Sequence, residues 1–489
     1  MKKKTISRPI LIVVLAMFLV GMLLCSTHTS PLFPSNYGSD SALFTLIGKG
    51  LTEGKILYKD LFDHKGPVLF FIEFLGYFLG KSTGIFLLQC VLGAIGLYFL
   101  YFAWSAISEK KGTKSLINLL AVFVSFCAVF FHTFQGGNLS EEYSLPFISL
   151  CIFLFVKYAL NAENHPKHPW LYSLIYGIVF ALLALTRLNN AITVLAGVFA
   201  IILFLIYKRE YKNILINLVF GILGILAVAL PVVIYFASQS ALHDFVYATF
   251  TYNFMYATKV SHQSIVSNWS SFLVLYMPII CSIVLITLKI WKTKKINFLD
   301  FLIATIVVLN TACLFISNGF PHYFTIYVPV FALVLSTYFE FDIKKIKTYF
   351  IALCALLCAL NVGLVFAKSV YSTHVIKYYK NIHDSVEEIV EQIPENERDA
   401  VVGFEVPCSY YLYADIVPCS KYYTHQEWWS VSDPDIMVSF IDHINSGQVL
   451  WVLTKPKEDN PELLEILAQK YVLVDSNEHL NIYRLKESE

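Results

Sequence analysis

The sequence predicts an all-α polytopic membrane protein with about eleven transmembrane helices, followed by a small α/β domain at the C-terminus. Of its 489 residues, 57% are hydrophobic and 15% are charged, a balance far from that of a soluble domain. Long apolar runs recur along the chain and stop at residue 367, after which the composition becomes that of an ordinary soluble domain. The net charge of +1 argues against a nucleic-acid partner, because phosphate backbones are bound by basic faces.

Each apolar run has about the length, roughly 16 to 23 residues, at which a helix crosses the hydrocarbon layer. Lysine and arginine fall in alternate short loops, and we therefore expect those loops to be cytoplasmic. An odd number of spans then places the N-terminus in the cytoplasm and the C-terminal domain outside the plasma (cytoplasmic) membrane. The predicted spans are 10–25, 85–106, 116–134, 144–160, 171–186, 191–206, 214–236, 271–288, 298–316, 324–339 and 349–367.

The first span also fits a cleaved signal peptide, since a basic start precedes its apolar core and the small residues Ser26 and Thr27 follow it. A lipoprotein signal is excluded because Leu24, which is not a small residue, precedes Cys25. The signal peptide and the membrane anchor both stay open at this point, and cleavage would leave the rest of the topology unchanged.

The chain divides once, into a transmembrane domain (1–367), whose first outer loop covers 26–84, and an extracytoplasmic domain (368–489). In the second domain, stretches with the apolar spacing of helices alternate with strand-like runs. The helical stretches are 375–393, 435–444 and 460–469, and the strand-like runs are 400–405, 448–454, 471–475 and 480–485.

Two features of the C-terminal domain leave alternatives open. Cys408 and Cys419 lie outside the predicted spans, so a disulfide between them is open if the compartment is oxidising. An aromatic group could cradle a sugar, but we favour core packing, the usual role of buried aromatic side chains. The group consists of Tyr410, Tyr411, Tyr413, Trp428 and Trp429.

The first outer loop contains two short apolar segments that are predicted to lie in the membrane interface. In the first, a helical pattern separates an apolar from a polar face, as in helices that lie along a membrane surface. The second, Pro67–Leu79, begins with a helix-starting proline but reaches only about 20 Å, so it is interfacial or re-entrant. The apolar face consists of Leu43, Phe44, Ile47 and Leu51, and the polar face of Thr45, Gly48 and Lys49.

The stretch from Asp40 to Pro67 resembles the first outer loop of GT-C-fold glycosyltransferases that use lipid-linked sugars. In this chain a carboxylate follows the first span and precedes a Tyr-x-Asp-x-x-x-His-Lys-x-Pro cluster. In the branch with protein O-mannosyltransferases and aminoarabinose transferases, that arrangement places a catalytic base and a phosphate-binding cation at the membrane surface. The family often has Lys-Pro-Pro where this chain has Lys65-Gly66-Pro67, which leaves the local backbone geometry open. The likeness in the order of spans and loops covers roughly residues 1–370.

The resemblance implies an inverting glycosyltransferase, of hexosyl or pentosyl type, that moves a sugar from a polyprenyl-phosphate or dolichyl-phosphate carrier to an extracytoplasmic acceptor. The acceptor is a cell-wall polymer, a lipid or a protein. Such a reaction needs a base for the acceptor and positive charge for the leaving phosphate. The resemblance implies that Asp40 acts as the base. It also implies that Lys65 and Tyr58 bind the phosphate of the donor. Taken alone, Asp40 would instead cap a helix beginning at Ser41.

Other outer loops carry further candidates. Glu141 and Glu142 follow the third span, and relatives have an acidic residue there that orients the acceptor or assists the base. Arg187 ends the fifth span, as does the family's arginine near the lipid phosphate, although snorkelling to headgroups is an equal alternative. His322 and Tyr323 are candidates for phosphate or sugar contact, or for interfacial anchoring.

A divalent metal is the only cofactor that the resemblance raises, since some relatives carry one near the donor site. Asp60, Asp63 and His64 have suitable ligand types. We favour turn-forming and hydrogen-bonding roles for them, because aspartate is common in turns.

Two other functions fit a polytopic chain with outer charges. A lipid-linked-glycan transporter or flippase is expected to show symmetric halves and paired broken helices, and neither is evident. An O-antigen-type ligase or polymerase would use a lipid-pyrophosphate glycan, whereas the transferase is expected to use a monophosphate sugar.

Overall fold

The computed structural model describes residues 8–111, 116–259, 269–316, 320–338 and 376–487. Its contacts divide the chain into two compact units, each built from three stretches of sequence. The first unit comprises Met1–Ser26, Leu88–Val232 and His262–Ser369, and the second comprises Thr27–Leu87, Val233–Ser261 and Val370–Glu489.

Apolar helices form nearly all of the described N-terminal part, with short 3-10 or π turns at Leu188–Ala191, Tyr247–Tyr252 and Pro321–Tyr327. In chain order the helices are α1 (Arg8–Cys25), α2 (Ser39–Thr52), α3 (Pro67–Lys111), α4 (Leu116–Thr133), α5 (Ser140–Ala162), α6 (Trp170–Ala184), α7 (Ile192–Tyr207), α8 (Tyr211–Ser238), α9 (Leu242–Val246), α10 (Asn253–Lys259), α11 (Trp269–Thr293), α12 (Phe298–Ile316) and α13 (Val328–Tyr338).

Among the described residues, six helices are long and apolar enough to cross a membrane. They lie in α3, α5, α7, α8, α11 and α12, and each overlaps one of the predicted spans. α1 and α6 are apolar but shorter. The predicted span 349–367 lies outside the described residues, so the count of about eleven spans and their orientation stay predictions.

α3 joins the predicted interfacial segment to the next span as one helix with a kink. The interruption falls at Gly80 and Lys81, whose backbone angles are not helical. Lys81 has a φ of 53°, which a non-glycine residue adopts only at some cost. The segment Pro67–Leu79 is therefore a separate helical stretch, as its short apolar run predicted.

α2 differs from the interfacial helix that its pattern predicted, because both of its faces are buried. Thr45, Gly48 and Lys49, which the pattern assigned to a polar face, are all buried. A Cβ added to Gly48 would lie 2.8 Å from the carbonyl oxygen of Glu73, so α2 packs directly on α3. The ammonium of Lys49 lies 2.9 Å from the carboxylate of Asp415. The polar face does not meet water, because α3 and the C-terminal segment cover it, and the position of α2 at the membrane interface stays a prediction.

The C-terminal segment folds around a four-stranded mixed sheet in the order β1-β2-β4-β3. β1 and β2 are parallel, whereas β4 is antiparallel to both β2 and β3. All four predicted strands and all three predicted helices are present. The elements are α14 (376–390), β1 (Val401–Phe404), α15 (Cys408–Tyr413), α16 (Gln426–Ser432), α17 (Asp435–Asn445), β2 (Trp451–Thr454), α18 (Pro461–Lys470), β3 (Tyr471–Ser476) and β4 (Asn481–Leu485).

Glycines allow α6 and α8 to approach each other closely within the first unit. A Cβ added to Gly177 would overlap the carbonyl oxygen of Gly221, and one added to Gly224 would overlap that of Leu174. Small residues at such positions let the backbones of membrane helices pack together.

We expect the Gly177→Ala variant to lower the melting temperature of the purified protein. Forcing one carbon into a packed contact typically costs about 1–3 kcal/mol. Gly221→Ala is the matched control, because its new Cβ would lie 3.7 Å from the nearest atom, the carbonyl oxygen of Ser173. Equal melting temperatures for the two variants would contradict the close contact.

Candidate active site

The predicted site residues form two clusters, each within one unit. The Arg187 cluster (Glu141, Arg187, His322 and Tyr323) belongs to the first unit. The Lys65 loop (residues 56–66) belongs to the second unit, which also contains Asp40.

Arg187 is held between a carboxylate and an aromatic ring. Its guanidinium donates to Oε1 of Glu141 at 2.5 Å, and its Cζ lies 3.9 Å from the centroid of the Tyr323 ring. Glu141 is nearly inaccessible at 2%, whereas the arginine side chain keeps 22% of its exposure. The cation is thus anchored on one side and open on another, which suits capture of an anion.

Local backbone structure explains how these side chains meet. Glu141 lies in the first turn of α5, and Arg187 lies in extended backbone between α6 and the 3-10 turn that follows. The side-chain amide of Asn190 donates to the carbonyl of Ser140 and to the hydroxyl of Ser144. These bonds tie the turn after α6 to the start of α5 and fix the position of Arg187.

Burial and pairing oppose each other in setting the pKa of Arg187. Burial lowers it, but Tyr323 and Glu141 raise it by more, so the pKa lies above its ordinary value. The guanidinium therefore stays charged at all physiological pH values.

Glu142 has a different environment from its neighbour. Its Oε2 accepts from the side-chain amide of Gln89 at 3.0 Å and from the backbone N–H of Asn138 at 2.9 Å. These bonds hold the turn before α5, in which Gly136 and Gly137 have φ values of 93° and 84°. The sequence did not distinguish the two glutamates, and the structure brings only Glu141 to Arg187.

His322 lies beside Tyr323 at an edge-on ring distance of 4.6 Å. Its Nδ1 is 3.0 Å from the side-chain oxygen of Gln135, so it is connected to the turn before α5. A recess of about 10 Å³ lies between Glu141, Arg187 and Tyr323, with room for about one water. This conformation therefore exposes the cation without enclosing a sugar phosphate.

The Lys65 loop is braced by its own polar groups. The hydroxyl of Tyr58 donates to the carbonyl of Lys65 at 2.6 Å, and Oδ1 of Asp63 accepts from the backbone N–H of Lys65 at 2.8 Å. Oδ2 of Asp60 accepts from the backbone N–H of Ile56. Tyr58 is fully buried and supports the loop from its inner side, and its contact with a donor phosphate stays a prediction.

The ammonium of Lys65 lies 3.6 Å from Oδ2 of Asp63 and 4.9 Å from the centroid of the Phe44 ring. The side chain keeps 13% of its exposure. A cation that is braced at its backbone and restrained at its tip is preorganised for an anion.

Asp60 and Asp63 have the turn-forming hydrogen bonds that we favoured. Both carboxylates accept backbone N–H groups within the loop. The ring of His64 stacks on that of Tyr256 at 5.4 Å. In the described part of the chain, no three His, Cys, Asp or Glu side chains converge as metal ligands.

Asp40 is the second residue of α2 and is half-buried. The helix begins at Ser39 with Gly38 as its N-cap, so the alternative that Asp40 caps a helix beginning at Ser41 was wrong. Burial raises the pKa of the Cys408 thiol, a hydrogen bond with Thr424 lowers it, and the carboxylates of Asp63 and Asp40 raise it. Asp40 and the Lys65 loop therefore both lie within electrostatic range of one thiol.

The aromatic group of the C-terminal segment mostly packs in its core, as favoured. Tyr411, Tyr413 and Trp429 are buried, whereas Trp428 is 45% exposed. Trp429 packs edge-on against Phe62 at 5.1 Å, so the C-terminal core directly supports the Lys65 loop.

Cys408 and Cys419 are both free thiols, and burial raises the pKa of Cys419 to about 12. A thiol stays protonated below its pKa, and the thiolate is the reactive form. We expect both residues to react slowly with maleimide at pH 7 in the folded protein and quickly after denaturation without reductant. Mass spectrometry of the labelled peptides measures this, and failure to label after denaturation would indicate a disulfide.

Sequence reasoning missed several buried polar residues of the two units. Asn190 gave no signal, because its role depends on a contact with α5. Gln89 and Glu73 were detectable, since each is a polar residue in an apolar segment, and both are fully buried.

The whole fold has solved relatives. ArnT from Cupriavidus metallidurans bound to undecaprenyl phosphate matches with a TM-score of 0.61 at 12% identity, over 98% of each chain. Its apo state matches with a TM-score of 0.59 at 10% identity, over 96% of this chain and 97% of that one. The fold is therefore the GT-C fold of ArnT.

Sequence comparisons give a narrower result. No curated protein sequence matches this chain. The sequence model of the putative competence-induced protein Ccs4 N-terminal domain matches residues 1–349. Because that match covers most of the protein, the chain belongs to the family of the putative competence-induced protein Ccs4.

Proposed function

We propose that this protein is an inverting membrane glycosyltransferase that takes a hexosyl or pentosyl group from a polyprenyl-phosphate carrier and transfers it to an extracytoplasmic acceptor. The observation that carries the proposal is Arg187, a charged guanidinium held by Glu141 and Tyr323 and still partly open. A fold shared with ArnT supports the same class of reaction.

In the proposed reaction, Asp40 removes a proton from the hydroxyl or amine of the acceptor. The acceptor atom then forms a bond to the anomeric carbon while the bond from that carbon to the phosphate oxygen breaks. The electron pair leaves with the polyprenyl phosphate, whose added charge needs fixed cations. Arg187 and Lys65 supply those cations.

Glu141 and Tyr323 act through Arg187 in this proposal. A lone arginine at a membrane surface would move among headgroups, because its long side chain can snorkel. The carboxylate and the ring instead hold the guanidinium in one place. Glu141 is therefore a positioning residue, and Glu142 stabilises the turn that leads to it.

Binding of undecaprenyl phosphate to the purified protein in nanodiscs tests the proposal. We expect the Lys65→Gln variant to bind it about 10- to 100-fold more weakly, since a hydrogen bond to a charged group contributes about 1.5–3 kcal/mol. Lys59→Gln is the matched control, because Lys59 belongs to the same loop but is exposed. Equal affinity in the two variants would contradict the role of Lys65, and no binding to the wild type would contradict the donor class.

A further inference from the structure

A second cavity lies in the first unit, between α6, α7 and α8. It has a volume of about 350 Å³, within the range of small-molecule sites. Most of its lining is aliphatic or aromatic, including Phe180, Val194 and Ile201. Leu195, Leu218 and Ile222 also line it and are each about half exposed, so the cavity opens on an apolar surface.

One end of this cavity is polar and tightly organised. The side-chain amide nitrogen of Asn217 donates to the backbone carbonyls of His168 and Asn213. Its oxygen therefore faces His168 and accepts from the ring Nδ1 at 2.8 Å and from the Ser173 hydroxyl at 2.7 Å. An imidazole that donates from Nδ1 presents a bare lone pair at Nε2 when it is neutral.

Two buried polar atoms at this end have no hydrogen-bond partner among the described residues. They are Nε2 of His168 and the hydroxyl of Tyr176. Both residues line the cavity and are almost inaccessible, since only 2% of the surface of His168 and 3% of that of Tyr176 are exposed. Their rings lie close together, with centroids 5.6 Å apart. Leaving such atoms unpaired is costly, which indicates that a ligand completes them.

The charge of the site restricts that ligand. Burial lowers the pKa of His168 by more than its hydrogen bond with Asn217 raises it, and the pKa lies at about 4. The imidazole is therefore neutral at physiological pH. None of the described residues that line the cavity is Lys, Arg, Asp or Glu. A phosphate or an ammonium group would enter such a site without a counter-charge.

We propose that this cavity binds a lipid alcohol, with its apolar chain between α6, α7 and α8 and its hydroxyl between His168 and Tyr176. The ligand hydroxyl donates to Nε2 of His168 and accepts from the hydroxyl of Tyr176. Both unpaired atoms are then satisfied, and the opening at Leu218 and Ile222 lets the chain enter from the membrane. This site is separate from the residues proposed for sugar transfer and does not depend on that function.

The test uses a photoreactive diazirine derivative of dodecanol with the full-length protein in nanodiscs. We expect mass spectrometry to find the label on peptides of α6, α7 and α8. Unlabelled dodecanol should compete strongly, whereas dodecane and dodecyl phosphate should compete at least about 5-fold less well, because each lacks the uncharged hydroxyl. Farnesol and dioctanoylglycerol as competitors distinguish an isoprenoid alcohol from a glyceride.

Tyr176→Phe is the decisive variant, since it removes only a hydroxyl that has no partner and should leave the melting temperature unchanged or higher. We expect it to weaken competition by dodecanol about 5- to 10-fold. Tyr172→Phe is the matched control, because Tyr172 lies on the same helix, touches the His168 ring and does not line the cavity. Equal competition by dodecanol and dodecane, or no effect of Tyr176→Phe, would overturn the proposal in favour of a groove filled by ordinary acyl chains.

Discussion

Sugar transfer by the Arg187→Gln variant is expected to fall about 100-fold or more below that of the wild type. Removal of one preorganised group that stabilises a developing anion typically costs about 100- to 1,000-fold in rate. Glutamine keeps hydrogen-bond donors at this position but loses the charge. Transfer is measured as the amount of sugar that expression of the protein adds to membrane and wall fractions, at matched protein amounts.

Loss of folding must be separated from loss of the cation, because breaking a buried ion pair leaves the Glu141 carboxylate without its partner. The Arg187→Gln/Glu141→Gln double variant removes both charges and should recover stability while transfer stays low. Arg209→Gln is the matched control, since Arg209 is exposed in the turn between α7 and α8. Near-normal transfer by the double variant would rule out a role for Arg187 in the reaction.

The Asp40→Asn variant is expected to lose transfer about 100- to 10,000-fold, the range that general acid–base groups contribute. Asparagine has nearly the same shape but cannot take the proton of the acceptor. The loss should appear with little change in stability, because an acidic residue in a first helical turn contributes only about 0.3–1 kcal/mol. The same sugar analysis measures the effect.

Asp435→Asn is the matched control for Asp40→Asn. Asp435 is an exposed aspartate in the first turn of α17, so its substitution removes the same favourable interaction with a helix N-terminus. The two variants should have similar melting temperatures and very different transfer. If Asp40→Asn retained full transfer, Asp40 would only stabilise the start of α2.

The sheet of the C-terminal segment was predictable because each strand coincides with a short apolar run of the sequence. The predicted run 400–405 contains the strand Val401–Phe404, and 480–485 contains Asn481–Leu485. α15 and α16 were not predicted. They have six and seven residues, too few for a helical period to emerge from their aromatic composition.

The candidate site was predictable as a set of residues but not as an arrangement. The motif identified Lys65, and the structure adds its bracing by Tyr58 and Asp63. Neighbouring residues on a helix point about 100° apart, so which of Glu141 and Glu142 meets Arg187 depends on how α5 packs. The two-faced pattern of α2 indicated an interfacial helix because sequence spacing does not reveal that α3 and the C-terminal segment cover its polar face.

Analysis of polyprenyl-linked sugars by mass spectrometry determines whether this protein consumes a polyprenyl-monophosphate sugar. Lipid extracts are compared from cells that express the wild type, Asp40→Asn or an empty vector. We expect a polyprenyl-monophosphate sugar to accumulate in the variant and the empty control, and the wild type to consume it as the same sugar appears on an acceptor. Equal monophosphate-sugar pools in all three, or a change confined to pyrophosphate-linked glycans, would contradict it.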